Sequence, residues 1–369
     1  MEANWLCIQA GISLVYLLYF FGITRLKNSL SSTPTSSEFK PFVSVLIAAK
    51  NERLQLEKNL TFFLSQNYFL NGNINFEVIV INDHSTDDTK LFIENLQQKH
   101  KHLKFIDFKE NSTSSKKKAL TKGIEAALGE YLLFSDADCK PVSDKWIKYM
   151  ISHLKEKSIV LGYGGFYENE SWINKVHAYE TLLTAFQYGS FAMNLSPYMG
   201  VGRNMGYKKS VFIENKGFKA HEHLASGDDD LFIQANASKE NTSLCFSKAT
   251  FTISEAPNTW KDWWKQKTRH LTTAYHYKPI HQYLLSGIAL LRLLFWGVSL
   301  LVLTIFFHWL HLFSFLILWF LIIQLMKKPT KHFQQQRLQF LSPILDLNLL
   351  LFHLILLFSS RKTKTTSWK

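Results

Sequence analysis

Cysteine is scarce: Cys7, Cys139 and Cys245 are the only three in 369 residues. An odd, scattered set forms neither a disulfide framework nor a metal-ligand spacing, which points to a reducing compartment for the soluble part. The N-terminal run is not expected to be a cleavable leader. Such leaders begin with positive charge and end on a small-residue cleavage site. Here the start is Met1-Glu2-Ala3-Asn4, and the first positive charges, Arg25 and Lys27, follow an apolar run. No internal repeat is visible. No glycine-rich phosphate loop follows the first predicted strand, where Ala49-Lys50-Asn51-Glu52 stands instead; this weakens a nucleotidyltransferase reading. Acidic residues are the minority, 29 against 42 Lys and Arg, for a net charge of +13. A basic excess is one mark of a nucleic-acid binder. Many of these charges, however, flank apolar runs (Arg25, Lys27, Lys327, Lys328, Arg337, Arg361), where cytoplasmic loops of membrane proteins carry them. Membrane lipids and phosphates are the expected partners, and nucleic acid is not.

Long hydrophobic runs are present at both ends. Trp5 to Ile23 has about the length that crosses a bilayer, and reads as a retained anchor (1–27) with its C-terminal side cytoplasmic. A Ser- and Thr-rich linker (28–40) follows. Near the other end, Tyr283 to Leu325 is long enough for two spans with a turn at His308 to His311, and Leu341 to Phe358 is a further apolar run. Arg292 and Asp346 interrupt these runs, each at a cost of roughly 2.5 to 3.5 kcal/mol at a helix centre. If the last run crossed, the basic tail from Arg361 would lie outside, against the charge bias. Crossing, re-entering and lying flat all remain open for it.

Between the apolar ends, strands alternate with helices of 10 to 15 residues. Val43 to Ala49, Phe76 to Ile81, a weaker Leu103 to Ile106, Tyr131 to Phe134 and Ile159 to Gly162 read as strands. Helices are predicted near Arg53 to Gln66, Asp87 to Lys99, Lys117 to Ala127 and Lys145 to Glu156. This is the pattern of βαβ units and a parallel sheet. A long amphipathic helix is expected from Ser171 to Phe191, then a glycine-punctuated loop from Met199 to Tyr207. The Trp-rich stretch Trp260 to His270 reads as an amphipathic helix that lies on the bilayer, because Trp favours that boundary.

The strand at Tyr131 ends in Asp136-Ala137-Asp138. Ligands bind beyond the carboxyl ends of strands in open α/β sheets, and two carboxylates on one turn suit a hard divalent cation shared with substrate phosphates. An ordinary strand-ending turn is the bland alternative. Three further signals accompany it in fixed order: Asp83 after the second strand, Asp228-Asp229-Asp230, and Gln266-x-x-Arg269-His270.

This order resembles the inverting family 2 glycosyltransferases, membrane-associated enzymes of the GT-A fold. Ala49-Lys50-Asn51-Glu52 is similar to the family's first-strand ending, and Lys116-Lys117-Lys118-Ala119-Leu120 to its G-K-x-x-A-L. The likeness covers about residues 41 to 280. It implies an α/β fold with a Rossmann-like, mostly parallel sheet as the catalytic domain (41–258), an amphipathic interface helix (259–280) and a C-terminal membrane region (281–369). It also implies a nucleotide-sugar donor, a UDP- or GDP-sugar, Mg²⁺ or Mn²⁺ as cofactor, and a lipid-linked or membrane-embedded acceptor. Carried over residue by residue, Asp138 with Asp136 would hold the metal. Ala49, Asn51, Glu52, Asp83, Lys116, Asp136, Gln266 and Arg269 would contact the nucleotide. Asp229 would be the general base, with Asp228 and Arg269 beside it in catalysis, and Asp228 or Asp230 would cap the helix that follows. Of Lys116 to Lys118, two are expected to be solvated. Arg203 and Asn204 are expected either to contact the acceptor or to serve the turn.

Two departures stand out. The family's first acidic pair is here Asn82-Asp83, and the Trp that closes its Q-x-x-R-W is His270. The latter, with few spans, favours single addition over a processive polysaccharide synthase. A catalytically inactive scaffold of the same fold is the non-enzymatic alternative, and retention of the charged motif positions argues against it. Residence in the cell's inner or plasma membrane, catalytic domain inside, completes the expectation.

Overall fold

A computed structural model describes residues 2–24, 39–109 and 114–359. Arg25, Lys27, nearly all of the linker and the basic tail lie outside the described residues. The N-terminal run forms one helix, α1 (Glu2–Thr24). Then come β1 (Val43–Ala49), α2 (Arg53–Leu64), β2 (Phe76–Asp83), α3 (Thr89–Gln97), β3 (Leu103–Phe108), α4 (Lys116–Ala126) and β4 (Tyr131–Asp136). Every residue of β1 and β2 is buried, which explains their continuous Val, Ile and Leu content: a strand covered on both faces has no solvent side to alternate with. Each such side chain contributes about 1.5 to 3 kcal/mol by leaving water.

Past β4 lie β5 (Cys139–Pro141), α5 (Trp146–Ser152), β6 (Ile159–Gly162), β7 (Gly164–Phe166) and the long helix α6 (Trp172–Asn194). They are followed by β8 (Met205–Lys208), α7 (Lys209–Glu214), α8 (Asp230–Asn236), β9 (Thr242–Cys245) and β10 (Thr252–Ser254). The main sheet has the order β9-β6-β8-β4-β1-β2-β3, and a small sheet has β5-β10-β7. From β1 the chain steps outward to β2 and β3, then returns to place β4 on the other side of β1. That reversal opens a crevice at the carboxyl ends of β1 and β4, where Ala48 faces Asp136 in register.

Met199 to Tyr207 is not all loop. Met205–Lys208 pairs antiparallel with both β4 and β6. Gly206 conceals the strand in the sequence and is required by it: a Cβ there would lie 2.5 Å from Leu133 and 2.7 Å from the Leu132 carbonyl. The long helix α6 does not lie on the surface. Its residues are buried almost all round, because it is sandwiched between the sheet on one side and α1 and the C-terminal helices on the other.

The Trp-rich stretch is α9 (Trp260–Ala274), started by a capping box in which the Thr259 hydroxyl accepts from the Asp262 amide at 3.1 Å and donates to its carboxylate at 2.6 Å. Trp263 is fully buried and donates to Glu180 of α6 at 3.3 Å. Trp263 therefore fixes α9 to the protein rather than facing a bilayer, while Trp260, 41% exposed, packs against Phe352 at 4.7 Å between ring centroids.

The C-terminal region is α10 (Pro279–Ile305), α11 (Trp309–His332) and α12 (Ser342–Ser359). Among the described residues, three helices, α1, α10 and α11, are long and apolar enough to cross a membrane. α1 packs on both others, with Tyr16 stacked on Phe295 at 4.2 Å. α12 instead lies against α6 and α9 as well as α10 and α11, so it joins the α/β domain to the long apolar helices. His332, bonded to the Phe246 carbonyl at 2.6 Å, and Arg337, bonded to Asn174 at 2.5 Å, add a second attachment.

Candidate active site

The crevice is a cleft of about 990 Å³ lined by Glu52, Lys116, Asp136, Asp138, Asp228, Asp229, Gln266 and Arg269. Residues from 52 to 269 therefore meet at one place. β4 delivers Asp136 to its rim, and the turn into β5 delivers Asp138. One ligand atom each from Asp136, Asp138 and Cys139 lie within 4.8 Å of one another. The two carboxylates supply the hard oxygens that Mg²⁺ and Mn²⁺ take, so the residues present fit the cation. Burial and the neighbouring Asp136 hold the Asp138 carboxyl above its usual range, a repulsion that a bound cation would remove.

Lys116 opens α4 and bridges Asp136 at 3.0 Å and Asp228 at 2.9 Å. Burial disfavours its charge, but these carboxylates outweigh it and raise its pKa. Burial likewise opposes the charge on Asp228, yet Lys116 holds that carboxyl below its usual range. Lys117, expected in solvent, is buried at 2% exposure and donates to the Ser226 carbonyl at 2.9 Å and to the His221 carbonyl. It pins the loop leading to the three aspartates. Lys116 and Lys117 are thus the structural pair, because α4 starts beneath that loop.

The capping role falls on a different residue than expected. Asp229 itself caps α8: its Oδ1 accepts from the Asp230 amide at 2.8 Å and its Oδ2 from the Gly202 amide at 2.9 Å. Two amides lower a carboxyl's pKa, but burial and the flanking Asp228 and Asp230 prevail, and Asp229 is pushed up to about 7. Asp230 also lines the cleft but is taken up by partners, accepting from Thr273 at 2.6 Å and Tyr277 at 2.8 Å. It ties α8 to the end of α9, the helix that carries Gln266 and Arg269. Gln266 Oε1 is buried with no hydrogen-bond partner among the described residues, an acceptor open for a ligand.

Not every predicted residue gathers here. Asp83 is fully buried, holds His84 at 2.7 Å and Ser114 at 2.8 Å, and does not line the cleft. Ala49 and Asn51 are also outside the lining. Asn51 braces the loops after β1 and β2, accepting from the Thr86 amide at 2.7 Å. Asn82 is paired with Asp107 at 2.8 Å. Asn204 is a core residue: it accepts from the Trp146 indole at 3.0 Å and donates to the Tyr163 and Thr250 carbonyls, both at 2.7 Å. Its turn role prevails over acceptor contact. Arg203 does line the cleft, with its guanidinium 4.4 Å over Phe166. Gly164 makes room for it, since a Cβ there would sit 2.4 Å from the guanidinium.

Sequence reasoning missed His177, Glu180, Thr181 and Thr184, all on α6 and all lining the cleft. Polar residues at spacings of three and four inside an otherwise apolar helix were the available signal.

This sheet and cleft define an α/β architecture with a ligand-sized crevice at the strand ends, and comparison with known proteins assigns the class. The description "Glycosyl transferase family group 2" matches residues 131–327 and "Glycosyl transferase family 2" matches residues 44–215. The chain belongs to glycosyltransferase family 2. It is 26% identical over 243 residues to the "Probable glycosyltransferase YdaM" of Bacillus subtilis, 62% of this chain and 54% of that protein. To the beta-monoglucosyldiacylglycerol synthase of a Nostoc species it is 33% identical over 117 residues, 32% of this chain and 24% of that protein. The chain thus spans about half or less of the length of these relatives. Its fold is GT-A: a mannosyltransferase of Pyrobaculum calidifontis, solved with GDP-mannose and Mn²⁺, superposes with a TM-score of 0.53 at 16% identity, covering 94% of this chain and 98% of that one.

Proposed function

We propose that the protein is a membrane-bound inverting glycosyltransferase that moves a sugar from a UDP- or GDP-sugar to a lipid-linked or membrane-embedded acceptor. One observation carries this reading: a single cleft runs from the carboxylates Asp138 and Asp229 to apolar side chains of α10 and α12, Leu285, Ile288 and Leu356. A water-soluble acceptor has no use for the apolar end. We place the catalytic domain on the cytoplasmic side of the inner or plasma membrane, since the cysteines are free and nucleotide sugars are cytosolic compounds.

In the transfer, Asp229 takes the proton of the acceptor hydroxyl, whose oxygen attacks the anomeric carbon from the face opposite the nucleotide. The bond from that carbon to the diphosphate oxygen breaks, and the nucleoside diphosphate leaves with the electron pair. A base whose pKa lies near the working pH is well matched to this step, worth about 10²- to 10⁴-fold. Arg269 can pair two diphosphate oxygens through its planar fork, and Gln266 supplies a neighbouring acceptor for a ribose or phosphate proton. Mg²⁺ or Mn²⁺ on Asp138 and Asp136, when bound, supplies charge neutralisation to the leaving diphosphate. Lys116 pairs with Asp136 and Asp228 and keeps Asp228 ionised.

The test is a panel of UDP- and GDP-sugars offered to the purified full-length protein in membranes, with and without divalent cation. Metal-dependent donor hydrolysis or transfer by one donor is expected. No donor turned over with any cation would overturn the reading.

A further inference from the structure

The site just described leaves the deep half of the cleft without a task. Its floor is one face of α6. His177, Glu180, Thr181, Thr184 and Gln187 recur at spacings of three and four and all line the cavity, so they form a polar stripe along the helix. Its walls differ in kind. α10 contributes Leu285, Ile288 and Ala289, and α12 contributes Leu356 and Leu357. A channel with a polar floor and apolar walls, one wall belonging to a helix of membrane-spanning length, matches an amphiphile whose head and chains face different ways.

The floor is a built site. Glu180 pairs with Lys267 at 2.7 Å and with His353 at 3.2 Å, joining α6, α9 and α12. Burial would raise the Glu180 carboxyl, but Lys267, His353 and His177 hold it below its usual range. His177 is 1% exposed, and neither ring nitrogen has a hydrogen-bond partner among the described residues. A buried polar side chain without a partner costs about 1 to 3 kcal/mol, a cost that a ligand can remove. Burial and Lys267 push His177 down to about 3, so it meets a ligand as a neutral donor and acceptor. Glu180 and Lys267 cancel in charge. Arg292 on the α10 wall is likewise paired, with Asp346, and the cations Arg203 and Arg269 lie at the nucleotide end. The α6 floor itself therefore carries no net charge, and its Thr, Gln and His side chains suit hydroxyl groups.

Resting on the proposed transfer to a membrane acceptor, we propose that the α6 stripe around His177, Glu180 and Thr184 is the acceptor subsite, and that it takes a membrane lipid with an uncharged, hydroxyl-bearing head, its chains lying between α10 and α12. A glyceride or a neutral glycolipid has this chemistry; a polyprenyl phosphate does not.

The test uses the full-length protein in phosphatidylcholine nanodiscs containing a photoactivatable diacylglycerol. Crosslinks are expected on peptides covering 285–289 and 353–357. Unlabelled dioleoylglycerol or monoglucosyldiacylglycerol should compete, and undecaprenyl phosphate should not. Thr184→Leu, which replaces a floor hydroxyl by a bulky apolar group, should lower crosslinking by about tenfold, while Thr184→Ser keeps it; matching elution and melting profiles establish that both are folded. Crosslinks confined to other surfaces, equal competition by undecaprenyl phosphate, or unchanged capture by Thr184→Leu would each overturn the proposal. Donor hydrolysis by the unmodified protein, measured without any acceptor, judges the transferase reading separately.

Discussion

Arg292 of α10 donates to Asp346 of α12 at 2.8 Å, so the two charges that break the C-terminal apolar runs neutralise each other. Trp296 donates to the second carboxylate oxygen at 2.8 Å and the Tyr16 hydroxyl of α1 binds it as well. One ion pair thus unites three helices of the membrane region.

Removing one partner leaves the other charge buried, which costs about 3 to 5 kcal/mol, whereas replacing both by apolar groups of similar volume is close to neutral. Asp346→Ala should lower the melting temperature of the detergent-solubilised protein markedly. The double variant Arg292→Met with Asp346→Leu should recover most of the loss. Equal loss in single and double variants would show that the pair contributes nothing specific.

The pKa of Asp229, about 7, sets a pH dependence. If Asp229 is the base proposed above, transfer needs its carboxylate, and the rate should rise tenfold per pH unit below about 7 and level off above it. Asp229→Asn should abolish transfer and still bind the nucleotide. Stability runs the other way. An unfolded Asp titrates near 4, so between about pH 4 and 7 the folded chain holds the extra proton, and this group destabilises the fold as pH rises through that window. Denaturant titrations should show the slope and its loss in Asp229→Asn. A flat rate profile in the wild type would rule out Asp229 as the base.

The Lys116 ammonium lies 2.9 Å from Asp228 and 3.0 Å from Asp136 and holds the Asp228 carboxyl low. Lys116→Met should raise the Asp228 carboxyl and weaken nucleotide binding by about tenfold or more, readable by calorimetry. Wild-type affinity in that variant would reduce Lys116 to a surface charge.

Asp138→Ala separates metal from base. In the wild type, Mn²⁺ should strengthen nucleoside diphosphate binding and a chelator should reverse the gain. The variant should bind weakly with or without Mn²⁺. If its response to Mn²⁺ matches that of the wild type, the cation is held elsewhere.

The sequence by itself determined the membrane helices, the βαβ alternation and the order of the acidic and basic motifs. These are local properties: apolar length, hydrophobic period and turn chemistry are written into neighbouring residues. It determined much less about the surroundings of α6, Trp263, Lys117 and Asn204, which read as an amphipathic helix, an interface anchor, a solvated charge and an optional ligand contact. Each is buried by a segment far away in the chain: α6 by α12, Trp263 by Glu180, Lys117 by the loop before Asp228, Asn204 by Trp146. Only the tertiary structure decided that Arg292 and Asp346 are partners and that α6 turns a polar stripe toward the cleft. Burial and pairing of a polar group depend on what packs against it, and residues 54 or more positions apart give no local signal of meeting.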